Sequence, residues 1–226
     1  MAGKNSHFVI AIDGPAGSGK STVSKLVAKS LGLMYIDTGA MYRALTLKAI
    51  RSGVDLNDEA GLVELARSTD IDLEEKAGNV SVLMDGEDVA GFIRTPELTN
   101  NVKYIARVPG VRAEMVRLQR LIGQRRGATL EGRDIGTVVF PNARYKFYLD
   151  ADPDERAKRR HKELAESGLS AEFEQIKKDV VSRDESDTKR SVGALRQASD
   201  AVRIDTTNLS IDEVVEKILS YVGKAG

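Results

Sequence analysis

Short apolar runs and amphipathic stretches alternate over the first sixty residues of the chain. Residues 8–12 and 33–36 are continuous apolar runs followed by polar residues and glycine, and each run predicts a buried strand. Apolar positions recur with helical spacing over residues 20–31 and 40–51, and another helix is expected to start near residues 57–58. The order strand, helix, strand predicts the beginning of an α/β fold.

The pattern changes between residues 70 and 93. Short segments with strand-like composition are separated there by turn residues, most clearly at residues 76–79, which read Lys-Ala-Gly-Asn. These features predict a small antiparallel sheet inserted into the fold. Helical spacing then returns over about residues 96–106 and 110–125.

The last hundred residues return to the alternation of strands and helices. Apolar runs predict three further buried strands, over residues 128–130, 145–149 and 201–204. Periodicity and charge predict three further helices, over residues 153–166, 171–183 and 210–222. Five strands separated by helices predict a parallel sheet with helices on both faces. Ligands bind at the carboxyl ends of such strands, where loops begin at Asp13, Asp37, Glu131 and Asp150.

The composition narrows the class of protein. The chain has 226 residues, 41% of them hydrophobic, which suits one large domain or a core with insertions. Basic and acidic residues balance at 34 each, so neither a nucleic-acid nor a membrane partner is expected. The absence of cysteine excludes disulfides, thiolate metal sites and a cysteine nucleophile. No apolar run reaches the roughly 20 residues of a membrane span. Residues 1–7 lack a signal-peptide core, so we expect a soluble cytoplasmic protein.

The loop after the first strand carries the pattern Gly-x-x-x-x-Gly-Lys-Ser. It consists of Gly14, Pro15, Ala16, Gly17, Ser18, Gly19, Lys20, Ser21 and Thr22. Glycines let successive N–H groups turn inward, and with the following helix N-terminus they form a cradle for phosphate oxygens. Lys20 supplies a positive charge for the β- and γ-phosphates, and the Ser21 hydroxyl can ligate Mg²⁺. The pattern predicts a nucleoside triphosphate site.

The phosphate loop alone does not distinguish GTPases, motor ATPases and small kinases. A GTPase would carry an Asn-Lys-x-Asp motif, which is absent, and a DxxG switch motif, which is missing near the expected strand. A motor ATPase would be longer. Arginines follow several predicted strand ends and lie in turns between helices, and arginine matches phosphate oxygens bidentately. This distribution favours phosphoryl transfer between two anionic substrates. A kinase of shikimate or gluconate and a non-catalytic nucleotide-binding module stay open as alternatives.

Six segments together resemble bacterial cytidylate kinases. They are IAIDGPAGSGKST, YIDTGAMYRA, GEDVAGFIRT, EGRDIGTVVFPNA, RAKRR and RDESDTKR, and the resemblance extends over about residues 7–223. The DTGAMYRA and GRDIGT segments separate the chain from adenylate kinases. The resemblance implies transfer of the γ-phosphoryl group of ATP to CMP or dCMP, with Mg²⁺ accompanying ATP. We expect the protein to be a monomer.

The resemblance also implies roles for individual residues. The acceptor nucleotide would be bound by Thr38, Gly39, Tyr42, Arg43, Lys103, Arg112, Arg133, Asp134, Arg183, Asp187 and Arg190. ATP would be bound by the phosphate loop and by three arginines of a mobile lid, Arg156, Arg159 and Arg160. Mg²⁺ would be held by Ser21 and, through water, by Asp37. The residues expected to act in catalysis are Lys20, Arg133, Asp134, Arg159 and Arg190, with Asp134 acting either as a base or by orienting its neighbours.

The implied architecture has three parts. The core, with a parallel sheet of about five strands flanked by helices, comprises residues 1–37, 127–152 and 184–226. Residues 38–126 form the monophosphate-binding part, including the antiparallel insertion at about 70–93, and residues 153–183 form a helical lid.

Three features differ from the family's usual pattern. Lys103 stands where relatives commonly have a serine, Glu131 replaces an aspartate, and residues 191–195 lack a proline.

Overall fold

The structure is a computed structural model, and it describes residues 8–76, 79–125, 127–166, 168 and 172–224. The strands are β1 (Val9–Asp13), β2 (Met34–Asp37), β3 (Ile71–Lys76), β4 (Asn79–Met84), β5 (Glu87–Asp88), β6 (Ala128–Gly132), β7 (Tyr145–Asp150) and β8 (Val202–Asp205). The helices are α1 (Lys20–Leu31), α2 (Thr38–Arg51), α3 (Glu59–Ser68), α4 (Pro96–Ala106), α5 (Pro109–Gln124), α6 (Pro153–Glu166), α7 (Phe173–Thr188) and α8 (Ile211–Lys224). A short π-helical turn, Ile135–Val139, follows β6.

The main sheet has five parallel strands in the order β2-β6-β1-β7-β8. The prediction of a parallel α/β sheet is therefore confirmed. β1 lies at the centre, and its last residue, Asp13, is in register with Gly132 at the end of β6. Because β1, β2, β6 and β7 all run in the same direction, the loops that follow them open at one edge of the sheet.

The side chains of β1 show how the sheet is covered on both faces. Ala11 belongs to a large core cluster with residues from α2, α3, α4 and α5, whereas Ile10 and Ile12 belong to a second cluster with residues from α1 and α8. Successive residues of a strand point to opposite faces, so a fully apolar strand fits a sheet covered on both sides.

The predicted antiparallel insertion is also present. β3, β4 and β5 form a separate three-stranded antiparallel sheet. Its inward residues, including Ile71 and Met84, join the core cluster of α2 and α5. The central residues of the predicted turn, 77 and 78, lie outside the described residues, and the strands end and begin on either side of them.

Several helices extend beyond their predicted bounds, and α2 and α7 are the clearest cases. α2 begins at Thr38 rather than at residue 40, because the Asp37 side chain accepts a hydrogen bond from the Ala40 N–H at 2.8 Å and caps the helix. α7 continues to Thr188, five residues beyond the predicted end. α6 and α7 pack on each other through a small apolar cluster of Ala157, Ile176 and Val180. The division of the chain into core, monophosphate-binding part and lid stays a prediction.

No helix in the described part of the chain combines the length and the apolar character needed to cross a lipid bilayer.

Candidate active site

A cavity of about 320 Å³ opens where the carboxyl ends of β1, β2 and β6 meet the α4 and α6–α7 helices. It brings together most of the residues that the sequence predicted for the site. Those that line it are Ala16, Gly17, Lys20, Ser21, Asp37, Thr38, Gly39, Tyr42, Arg43, Arg112, Arg133, Asp134, Arg160, Arg183, Asp187 and Arg190. Residues from both predicted substrate sites therefore share one cavity.

The phosphate loop owes its shape to its glycines. Gly14 has φ 149°, and a side chain there would collide with the backbone oxygen of Leu149 on β7. Gly19 lies in the left-handed region at φ 86° and directly precedes the first residue of α1, Lys20. This turn aims the positive end of α1 at the cavity, which suits an anionic ligand.

Lys20 is buried inside the loop that it follows. Its Nζ donates hydrogen bonds to the Pro15 carbonyl oxygen at 2.5 Å and to Ser18 Oγ at 3.3 Å. Burial and the nearby Arg133 charge lower the pKa of Lys20 to about 7. Because burial disfavours the charged amine, a bound anion that favours the charged form would raise the pKa of Lys20 again.

A buried carboxylate joins the phosphate loop to the second strand. Ser21 Oγ donates to one oxygen of Glu131 at 2.9 Å, and the Tyr35 hydroxyl donates to the other. Burial is the main cause that raises the pKa of Glu131. Asp37 lies close by, with Oδ1 capping α2 and Oδ2 accepting a hydrogen bond from Arg43 at 3.0 Å. Ser21, Glu131 and Asp37 thus present a group of oxygen atoms at the cavity wall.

Two arginines share one buried carboxylate on α7. Arg133 Nε donates to Asp187 Oδ2 at 2.6 Å, and Arg190 donates to the other oxygen. Burial alone would raise the pKa of Asp187, but the two guanidinium groups hold it below its usual value. Arg183 lines the same wall without a hydrogen bond or ion pair to any described residue. Burial lowers the pKa of Arg183 to about 10. The three arginines of this wall carry more positive charge than Asp187 neutralises, so the wall can bind an anionic ligand.

A second buried ion pair lies on the α5 side of the cavity. The Arg112 guanidinium donates to Asp134 Oδ2 and lies 5.7 Å from the centre of the Tyr42 ring. Burial raises the pKa of Asp134, although the neighbouring arginines oppose this shift. Burial likewise raises the pKa of Tyr42 to about 12, so its hydroxyl stays protonated at neutral pH.

Eight predicted site residues do not line the cavity. Five belong to the phosphate loop: Gly14, Pro15, Ser18, Gly19 and Thr22. The other three lie elsewhere in the chain, and the first of these is Lys103. Its side chain is exposed, and its Nζ lies 5.2 Å from the centre of the Tyr104 ring. The residues of α4 that line the cavity are instead Pro96, Thr99, Val102 and Ala106.

Arg156 and Arg159 are the remaining two predicted residues outside the cavity lining. Arg156 is buried and donates hydrogen bonds to the backbone oxygens of Ala16 and Ala151, at 3.1 and 2.9 Å, and to Asp184 at 2.6 Å. Arg159 donates to the side chain and backbone oxygen of Thr206, at 3.0 and 2.7 Å. Both side chains hold protein segments together, and of the three predicted lid arginines the cavity is lined by Arg160.

Nine residues that line the cavity were missing from the set predicted for the site: Arg94, Pro96, Thr99, Val102, Ala106, Glu131, Gly132, Glu163 and Leu164. The sequence analysis placed Glu131 at the ligand-binding edge of the sheet, where the third main strand ends, but assigned it no role in the site. Arg94 and Thr99 come from the segment after the small sheet, where the sequence carries no strand end that would place them.

Comparisons with a family model and with curated relatives match this chain to cytidylate kinases. A family model described as cytidylate kinase matches residues 10–224. A cytidylate kinase of Desulforamulus reducens is 52% identical over 219 residues, which cover 96% of this chain and 98% of the relative. A cytidylate kinase of Anoxybacillus flavithermus is 50% identical over 213 residues, which cover 94% and 95%. Among solved structures, a shikimate kinase from Acinetobacter baumannii in complex with shikimate is 16% identical with a TM-score of 0.48, covering 97% of this chain and 95% of that chain. A likeness that weak says nothing about the acceptor.

Proposed function

The chain belongs to the cytidylate kinase family, and on this premise we propose that it transfers the γ-phosphoryl group of ATP to CMP or dCMP. The products are ADP and CDP or dCDP, and the protein is a phosphotransferase. The observation that carries the proposal is the identity of about half of all residues over nearly the whole chain. The single cavity that holds both a phosphate loop and several arginines supports it.

We propose that the arginine wall of the cavity binds the acceptor phosphate. Arg133, Arg183 and Arg190 outnumber the one carboxylate of Asp187 that lies among them, which leaves net positive charge for a second anion. Two polyanions repel each other, so holding them side by side requires fixed cations on several sides. Catalysis would then consist of positioning and charge neutralisation.

A strong general base is unnecessary in this reaction. A phosphate monoester has a second pKa of about 6 and is already nucleophilic near neutral pH. Asp134 is hydrogen bonded to Arg112, which supports an orienting role for this carboxylate over a role as base. We propose that Asp134 fixes Arg112 beside Tyr42 and so shapes the acceptor end of the cavity.

The residues at the phosphate loop fit Mg²⁺ that arrives with ATP. Ser21 Oγ would ligate the ion, and Asp37 and Glu131 would support it from the same wall. In the part of the chain that the structure describes, no group of three or more histidine or carboxylate side chains could hold a metal by itself. This suits an ion that takes most of its ligands from phosphate and water. When bound, Mg²⁺ neutralises phosphate charge.

A panel of acceptors tests the proposed function. ADP release with ATP and Mg²⁺ should be rapid with CMP or dCMP and slow with AMP and shikimate; UMP tests the specificity for the base. Binding of ATP without any product from CMP would instead favour a non-catalytic nucleotide-binding module. Fastest release with shikimate would favour a kinase of a small polyol.

We propose that α6 and α7 form a lid that closes when both substrates bind. Arg160 already lines the cavity from α6, and closure would keep water away from the γ-phosphate. Hydrogen exchange of α6 is therefore expected to slow when ATP and CMP are added together. α3 lies outside the cavity lining and serves as the internal control. Exchange in α6 that stays unchanged while product forms would contradict a lid.

We also propose that the enzyme is a cytoplasmic monomer. The balanced charge and the shared cavity formed by one chain support this assignment. Light scattering at assay concentration should give the mass of one chain.

A further inference from the structure

Asp13 is a buried carboxyl group that lies beneath the active site without lining the cavity. It is 4% exposed. Its Oδ1 accepts a hydrogen bond from the Ile135 N–H at 2.8 Å, and its Oδ2 accepts one from the Gly136 N–H at 2.7 Å. Burial raises the pKa of Asp13 to about 6. A carboxylate so far from water is costly unless it is satisfied, and these two backbone N–H groups satisfy it.

The two hydrogen bonds fix the far end of the segment that carries Arg133 and Asp134. The near end is fixed at Gly132, which is in register with Asp13 in the main sheet. The far end is the start of the π-helical turn, whose first N–H groups have no partners within the turn and are taken up by Asp13. Arg133 and Asp134 therefore lie between two points of attachment, and both attachments are made by Asp13 of β1.

Asp13 is also next to the phosphate loop, which is the predicted site of the phosphoryl donor ATP. Gly14, the first residue of the phosphate loop, directly follows Asp13 in sequence. The end of β1 thus positions two parts of the site. It is covalently continuous with the phosphate loop, and it holds the Arg133–Asp134 segment through two hydrogen bonds. Lys20 and Asp134 are the charged groups close enough to affect the Asp13 carboxyl.

We propose that Asp13 is a positioning residue that holds Arg133 and Asp134 in place relative to the phosphate loop. This inference rests on the proposed function, because those two residues are assigned there to the acceptor. Two other roles are conceivable for a buried acid at this point: support of the phosphate loop through Lys20, and a purely structural contribution to stability. The three roles differ in which substrate a substitution affects.

The test is Asp13→Asn, compared with Asp58→Asn. The amide has one acceptor oxygen, so its NH₂ group faces one of the two N–H donors and leaves it unsatisfied. We expect kcat/KM for CMP to fall about 10- to 100-fold, while the Kd for ATP changes by less than about threefold. Asp58 caps α3 by accepting the Gly61 N–H at 3.0 Å, and asparagine caps equally well, so the control should behave like the unsubstituted enzyme.

Two results would overturn the inference. An equal loss of affinity for ATP and CMP would assign Asp13 to the phosphate loop. Unchanged kinetics of the folded fraction, with only a lower Tm, would leave it a purely structural role.

A second variant decides the question if Asp13→Asn does not fold. A Cβ at Gly136 would lie 3.3 Å from Asp13 Oδ2 and 3.2 Å from Lys146 Cδ, which is closer than ordinary van der Waals contact. Gly136→Ala should therefore displace the same contact from the other side and reduce kcat/KM for CMP with the Kd for ATP retained. Normal CMP kinetics in this variant would reject the inference. Failure of the unsubstituted enzyme to phosphorylate CMP would instead reject the proposed function, so the two failures are distinguishable.

Discussion

Lys20→Ala is expected to lower kcat by about 10³-fold while the protein stays folded. The ammonium group is the compact charge of the phosphate loop, and its loss removes stabilisation of the charge that develops on the transferred phosphoryl group. Folding should tolerate the change, because burial already disfavours the charged form of Lys20 and lowers its pKa to about 7. A coupled assay measures turnover, and circular dichroism measures folding.

Lys29→Ala is the matched control, since Lys29 is exposed in the last turn of the same helix. Its turnover should equal that of the unsubstituted enzyme. Near-normal turnover of Lys20→Ala would remove Lys20 from the catalytic residues.

Lys20→Ala also tests the protonation state of Lys20. At pH 8, above a pKa of about 7, the ligand-free enzyme holds this amine largely neutral. Phosphate oxygens favour the charged form, so ATP binding should take up close to one proton at pH 8 and fewer at pH 6. Calorimetry in buffers of different ionisation heat would measure the uptake, and Lys20→Ala should lose it. A binding heat independent of buffer at pH 8 would show that Lys20 is already charged.

Arg133→Ala is expected to lower kcat/KM for CMP by about 10²- to 10³-fold. The variant loses a cation from the wall assigned to the acceptor phosphate. It also leaves the buried Asp187 with Arg190 as its remaining charged partner among the described residues. We therefore expect the free energy of unfolding to fall as well, by about 1–3 kcal/mol. Steady-state kinetics with CMP varied, and urea unfolding, measure the two effects separately.

Two further variants separate the loss of charge from the loss of geometry. Arg133→Lys keeps the charge but loses the planar fork, so its activity should lie between those of the unsubstituted enzyme and Arg133→Ala. Arg117→Ala removes an exposed arginine that pairs with Glu114 and should change neither property. If Arg133→Ala lost stability but kept kcat/KM for CMP, Arg133 would be a structural partner of Asp187 only.

The main sheet could be predicted because its signals are local. Each strand is a short apolar run bounded by turn residues, and the alternation with helices leaves a parallel sheet as the arrangement that buries both faces. The phosphate loop is equally local, since its glycines, lysine and serine are contiguous. The start of α2 was misplaced by two residues because Asp37 ends a strand and caps a helix at once.

The facing of the lid arginines could not be predicted from the sequence. Arg156, Arg159 and Arg160 lie within two turns of one charged helix, and their spacing does not show which of them points to the cavity. Arg156 donates hydrogen bonds to Ala16 and Asp184, and Arg159 donates one to Thr206, so neither side chain lines the cavity. These partners are distant in sequence. Only tertiary packing distinguishes the three.

Non-local pairing also explains the other differences. Glu131 belongs to the site because Ser21 and Tyr35 bind its two oxygens, and these residues lie 110 and 96 positions away in the chain. The π-helical turn also depends on a distant residue, since its first N–H groups donate to Asp13, which lies 122 and 123 positions away in the chain. Lys103 was placed by analogy with a serine, but its longer side chain lies along Tyr104 at the surface.

If α6 and α7 form the proposed lid, the hydrogen bonds of Arg156 constrain how it moves. This guanidinium ties the pair to the phosphate loop at Ala16 and to Ala151 after β7, so it would act as a pivot, and displacement would grow with distance from it. Glu166 is ten residues further along α6, a lever arm of about 15 Å, so a rotation of about 20° would carry it about 5 Å. In such a lid, the tip of α6 would move across the triphosphate site while its base stays attached to the phosphate loop.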